Sequence, residues 1–233
     1  MNFTALLSLI GLVLITPLRP AFGADAGHNF GKWETDIAAF EAADRTNPPP
    51  TNAVLFIGSS TIRFWTTLAK DFPDQHVINR GFGGSEIADS THFAGRIVFP
   101  YAPKAIFFRA GGNDIAAGEA PEAVFADFKD FIATVHARLP DTDIFFISCS
   151  PTPARWQNQR KETILNNLVA AYARRSPHLK YIETADLVLG ANGKPRPELF
   201  RADKLHFKAA GYKLLAERVR PFLPPAPVPA AGH

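Results

Sequence analysis

The chain has 233 residues, 46% hydrophobic and 20% charged, enough to bury one core without disulfide or metal staples. A single cysteine, Cys149, excludes an intrachain disulfide and a cysteine-based zinc cluster, and its place in an apolar run reads as inert core. Lys and Arg number 25 against 22 acidic residues, with no basic run or aromatic–basic stripe, so nucleic-acid binding gains no support.

Residues 1–23 stand apart. An apolar run over 6–18 is followed by Ala21-Phe22-Gly23, small residues at the two positions a signal peptidase reads. This pattern predicts a secretory signal cut after Gly23 and an exported product, periplasmic or secreted. No Lys or Arg precedes the run, and it is short of the roughly 20 residues of a bilayer span. A retained anchor is the alternative, and no other segment reads as a membrane span. The signal holds Arg19 and no acid, which leaves 24 basic against 22 acidic residues, or +2, in the mature chain.

Phe30, Trp33, Ile37 and Phe40 recur at helical spacing ahead of the Pro48-Pro49-Pro50 breaker. A strand is predicted over 53–57, then a helical pattern through Ile62, Trp65 and Leu68. Further strands are predicted over 76–79, 105–109, 143–149 and 180–183; their near-continuous hydrophobicity suits strands covered on both faces. Between them, Phe125, Phe128, Ile132 and Val135 follow Pro121 as a helix, and 158–175 and 208–219 are two more. Strand and helix alternating five times predict a parallel sheet with helices on both faces, as one domain over 24–223. The Pro/Ala-rich stretch 224–233 reads as a tail. In open sheets of this kind ligands bind beyond the carboxyl ends of the strands, and four short segments fall there.

In Val54-Leu-Phe-Ile-Gly-Ser-Ser-Thr-Ile-Arg63 a strand runs through Gly58 into two serines and a helical pattern. A serine on such a turn gains an exposed hydroxyl suited to nucleophilic attack; capping the helix is the structural alternative. In Asn79-Arg-Gly-Phe-Gly-Gly-Ser-Glu-Ile87 the glycines let backbone amides approach a ligand, as an oxyanion site requires, or simply make a turn. Gly81, Gly83 and Gly84 are too close together for the dinucleotide-binding spacing. In Ala110-Gly-Gly-Asn-Asp114 the Asn113 amide can donate to an oxyanion, or Asn113 and Asp114 are turn and cap residues. In Asp203-Lys-Leu-His206 the aspartate can orient the imidazole and stabilise its cation. No metal is expected, since the histidines are scattered and no His or Cys partner lies near His206.

Taken together, Ser60, Gly84, Asn113 and Asp203/His206 occur in the order of the four signature blocks of the GDSL, or SGNH, hydrolase family, which the chain resembles over 54–212. The resemblance implies a flavodoxin-like three-layer α/β/α sandwich on a five-stranded parallel sheet. It implies Ser60 as nucleophile, His206 as base and Asp203 as its partner, with the Ser60 and Gly84 amides and the Asn113 side chain forming the oxyanion hole. Asn79 stands five residues before Gly84, as in the family's second block. Ser59 takes the place of the family's Asp. Gly112 replaces the larger or polar residue of many relatives, leaving that part of the site roomier.

The expected function is hydrolysis of small, acetyl-type esters without a cofactor, on a small acyl-ester substrate such as an acetylated carbohydrate or a lysolipid. A lysophospholipase, a thioesterase or an O-acyltransferase would use the same constellation, and an exported small-ligand binding module is the non-catalytic alternative. The segments 33–45 and 156–160 are expected to pack at the site or against another subunit; the oligomeric state is not legible.

Overall fold

The computed structural model describes residues 27–226; the predicted signal, and the tail beyond Ala226, lie outside the described residues. Five strands alternate with helices: a 3₁₀ turn Phe30–Trp33 and α1 (Glu34–Thr46), β1 (Val54–Gly58), α2 (Ser60–Arg63), α3 (Leu68–Asp71) and β2 (Val77–Gly81). Then come α4 (Ile87–His92), α5 (Ala94–Ile97), β3 (Ala105–Arg109), α6 (Gly112–Ala117), α7 (Pro121–His136), β4 (Asp143–Ile147), a 3₁₀ segment Pro153–Asn158, α8 (Gln159–Ala173), β5 (Leu179–Ile182) and α9 (Ala209–Val219). All pairings are parallel and the strand order is β2-β1-β3-β4-β5. Among the described residues no helix is long and apolar enough to cross a membrane.

The period-two alternation of strand side chains divides the core into two layers. Leu55, Ile57, Ile106, Phe108, Ile144 and Phe146 face the side covered by α1, α4, α7 and α8. Val54, Phe56, Ala105, Phe107, Phe145 and Ile147 face the other, where α9 and the Ile62–Phe72 region close the core. Register places Phe56 opposite Phe107 and Phe107 opposite Phe145. Their rings stack at 4.8 and 4.6 Å between centroids, tying the three central strands together on one face. Such pairs contribute about 0.5–1.5 kcal/mol each beyond the area they bury.

The predicted strands are all present, with shifts of one or two residues at their ends. The pattern through Ile62, Trp65 and Leu68 does not form one helix: it breaks into the single turns α2 and α3, although all three side chains are buried. The cause is a competing partner. Asn79 Nδ2 donates to the Ile62 carbonyl at 2.7 Å, while Trp65 Nε1 and Thr67 Oγ1 both donate to Asp71 Oδ2, at 2.6 and 2.7 Å, folding the chain back. The last described residues are drawn onto the body, with Gln75 Nε2 donating to Pro224 O at 2.7 Å and Lys104 Nζ to Pro225 O at 3.2 Å.

In this strand order the chain leaves β1 for β2 on one side and crosses back to β3 on the other. The crevice at the carboxyl ends of β1 and β3 is therefore the switch point, where such sheets bind ligands.

Candidate active site

Ser60 begins α2 directly beyond β1, at that switch point. The turn is sharp because Gly58 has φ +134°, and a Cβ there would stand 2.0 Å from the Arg109 carbonyl oxygen; only glycine fits. Ser59 N–H donates to that same oxygen at 3.0 Å, fixing the serines between β1 and β3. Ser59 holds the N-cap position of α2, yet its side chain makes no capping hydrogen bond. The Ser60 hydroxyl likewise has no hydrogen-bond partner among the described residues. The capping alternative therefore does not account for either serine.

Ser60, Asn113 and His206 line one cavity of about 60 Å³, together with Arg109, Gly112, Cys149, Thr152, Arg155, Glu162 and Phe207. A Cβ placed on Gly112 would meet nothing within 4 Å, which is the extra room expected at that position. Gly84 is not part of the lining but lies alongside: a Cβ on its neighbour Gly83 would stand 3.8 Å from Ser60 Cβ. Gly84 has φ +83° and is backed by the Trp33 ring, so the segment 33–45 packs at the site through Trp33. Asn79 holds this region together, its Oδ1 accepting the Gly81 N–H at 2.9 Å while its Nδ2 holds the end of α2.

Asn113 lies on the first turn of α6. Its Nδ2 donates to Ser85 O at 2.8 Å, next to Gly84, and its Oδ1 accepts from Arg155 Nη1 at 2.9 Å. Asp114 beside it is fully buried, and its Oδ1 accepts the Ile87 N–H at 2.9 Å at the start of α4. Asp114 thus serves the structural alternative, whereas the Asn113 amide does not cap.

His206 sits on a tight turn before α9. Its Nδ1 meets Asp203 Oδ2 at 2.8 Å, and Asp203 Oδ1 accepts the N–H groups of Leu205 and His206, both at 2.9 Å. The His206 backbone and ring bonds, then the Leu205 N–H, hold the Asp203 carboxyl well below the usual carboxylate range. With a carboxylate on Nδ1, the neutral ring carries its proton there and leaves the Nε2 lone pair free. Lys204 adopts φ +57° to close the turn, Arg201 N–H donates to His206 O at 2.7 Å, and the Phe64 ring meets the imidazole edge-on at 4.9 Å.

Two charged groups in this region, Arg109 and Glu162, were not singled out by sequence. Arg109, buried at the end of β3, donates to the Ser148 carbonyl. Burial pushes the Glu162 carboxyl up to about 7, against the opposing pull of Arg109 and Arg155, and pushes Asp114 up to about 7 as well. The signal for Arg109 was a charge closing an otherwise apolar strand; Glu162 lies on a helix whose buried face is legible only once the sheet is assembled. Cys149 is buried, its thiol 3.5 Å from Ala110 O and kept protonated by burial, as an inert core cysteine should be. Among the described residues no three His, Cys, Asp or Glu side chains are grouped to hold a metal ion.

The two raised carboxyls set a stability trend. In the unfolded chain they ionise near 4, so between that pH and about 7 the folded state holds more protons and loses stability as pH rises. The loss is on the order of 3–4 kcal/mol for each carboxyl. Lowered carboxyls such as Asp203 act only below this window, where their contribution disappears as pH falls. The urea midpoint is therefore expected to be lower at pH 8 than at pH 5.5; an equal or higher midpoint contradicts the burial of these charges.

The fold and the cavity define a doubly wound α/β protein with a serine, an asparagine and an aspartate-bound histidine at its switch point. The family model of the GDSL-like lipase/acylhydrolase family matches residues 57–214, and the chain belongs to that family. It is a hydrolase by that membership. A protein from Streptococcus pneumonia named for platelet activating factor superposes with a TM-score of 0.73 at 20% identity, over 82% of this chain and 92% of that one. A GDSL-like lipase from Bacteroides thetaiotaomicron gives 0.66 at 19%, over 83% and 96%. A catalytic mutant of an acetylxylan esterase from Geobacillus stearothermophilus gives 0.58 at 14%, over 73% and 94%. At these identities the likeness carries the fold, a five-stranded parallel α/β/α sandwich. No curated protein matches the chain.

Proposed function

We propose that the protein hydrolyses small acyl esters, of the acetyl type, by a serine–histidine–aspartate mechanism. The observation that carries this reading is the meeting of Ser60, Asn113 and the Asp203-bound His206 around one cavity, from three distant parts of the chain. Neutral His206 takes the Ser60 proton at Nε2 as Oγ attacks the ester carbonyl, and Asp203 stabilises the imidazolium. The oxyanion is received by the Ser60 and Gly84 N–H groups, which have no acceptor among the described residues, and by the second N–H of Asn113. His206 returns the proton to the departing alcohol. Water, deprotonated by His206, then cleaves the acyl-serine and frees the acid.

The cavity supports a short acyl group: it is small, and its lining includes the charged side chains of Arg109, Arg155 and Glu162. An acetylated carbohydrate is the substrate class we favour, in keeping with the acetylxylan esterase among the structural neighbours. The proposal includes export, on the strength of the run 6–18 and Ala21-Phe22-Gly23, and the exported protein should have a mass that begins at Ala24. The test compares p-nitrophenyl acetate with longer acyl esters, and acetylated xylo-oligosaccharide with a lysophospholipid. Acetyl esters are expected to be cleaved roughly 10-fold or more faster than butyryl or longer ones. Rates that rise with chain length would instead point to a lipid substrate.

A further inference from the structure

Arg155 lies in the connection between β4 and α8, in the 3₁₀ segment Pro153–Asn158. Thr152 Oγ1 accepts its backbone N–H at 3.2 Å, and its backbone leaves helical geometry at φ −123°, ψ 28°. The side chain runs back across the cavity to the loop after β3. There Nη1 donates to Asn113 Oδ1 at 2.9 Å and to Gly112 O at 3.2 Å. The adjacent Ala154 N–H donates to Lys204 O at 3.0 Å, so the same segment also grips the turn that carries Asp203 and His206.

We propose that Arg155 is a positioning residue for acyl transfer, one that orients and polarises the Asn113 amide toward the oxyanion; this rests on the hydrolase reading above. The amide of Asn113 has two donor hydrogens and one acceptor oxygen. One hydrogen is used by Ser85 O. With Oδ1 held by the guanidinium, the amide cannot rotate end for end, because that would set NH₂ against another donor. The second hydrogen then has one direction available. A cation on the oxygen also draws electron density from the nitrogen, making that N–H a stronger donor than in an amide facing water. Glu162 lines the same cavity, and the Arg155 charge is one of the two that oppose the rise of its carboxyl.

The role is separable from mere packing by a double-mutant cycle. Initial rates on p-nitrophenyl acetate are measured for the wild type, Arg155→Ala, Arg155→Lys, Asn113→Ala and the Arg155→Ala/Asn113→Ala pair. Arg155→Ala is expected to lower kcat by about 10- to 100-fold with KM nearly unchanged, and Arg155→Lys to recover part of the loss. In the Asn113→Ala background the same substitution should cost less than about threefold, because the group it positions is gone. Low-millimolar methylguanidinium should restore part of the activity of Arg155→Ala but none in the double variant. Should Arg155→Ala fail to fold by near-ultraviolet circular dichroism, Arg155→Met, which keeps the stem, carries the same cycle. Equal losses in both backgrounds, or a raised KM at unchanged kcat, overturn the assignment. If Ser60→Ala is inactive while the cycle is additive, only the role of Arg155 fails; if Ser60→Ala keeps the wild-type rate, the hydrolase reading itself fails.

Discussion

Ser60→Ala is expected to lower ester hydrolysis by about 10³- to 10⁶-fold, because it removes the atom proposed to carry the acyl group. The fold should survive. The Ser60 hydroxyl makes no hydrogen bond among the described residues, and the turn is set by Gly58 and by the Ser59 N–H on Arg109 O, neither of which the substitution touches. A lost capping bond would have cost about 1 kcal/mol, but the structure has none to lose. Ser59→Ala is the matched control: it removes an equal hydroxyl one residue away and should leave most of the activity. Similar losses in both variants would mean that the turn, not the hydroxyl, was disturbed.

Asn113→Ala should reduce kcat by roughly 10²- to 10³-fold, the loss typical of one oxyanion donor. Here the fold is not a bystander, since the Asn113 side chain bridges Ser85 O and Arg155. Losing two such bonds costs about 1 kcal/mol each, against a total stability of roughly 5–15 kcal/mol. A urea midpoint that falls slightly beside a rate that collapses supports a donor to the transition state. A rate that falls only in step with stability would make Asn113 a brace between loops.

The sheet was legible because its strands are buried on both faces, so that runs such as 105–109 and 143–147 have no polar alternation to confuse with a surface strand. Long helices were legible for the opposite reason: stripes such as Phe128, Ile132 and Val135 face one wall. The short helices α4, α5 and α6 were not. They are held by contacts from elsewhere, as when Asp114 accepts the Ile87 N–H across 27 residues. The same limit applied at the site. Ser60, Gly84, Asn113 and the Asp203–His206 pair each occupy a short local pattern, whereas Arg155 acts on a residue 42 positions away and nothing near it in the sequence shows that.

The most direct test of the proposed mechanism is covalent capture of the nucleophile. A fluorophosphonate probe is incubated with the folded protein, and the adduct is located by peptide mass spectrometry. One equivalent on Ser60, abolished by Ser60→Ala and retained by Ser59→Ala, is the predicted result. Label on Ser59 or elsewhere, or no label on protein that is folded, would contradict it.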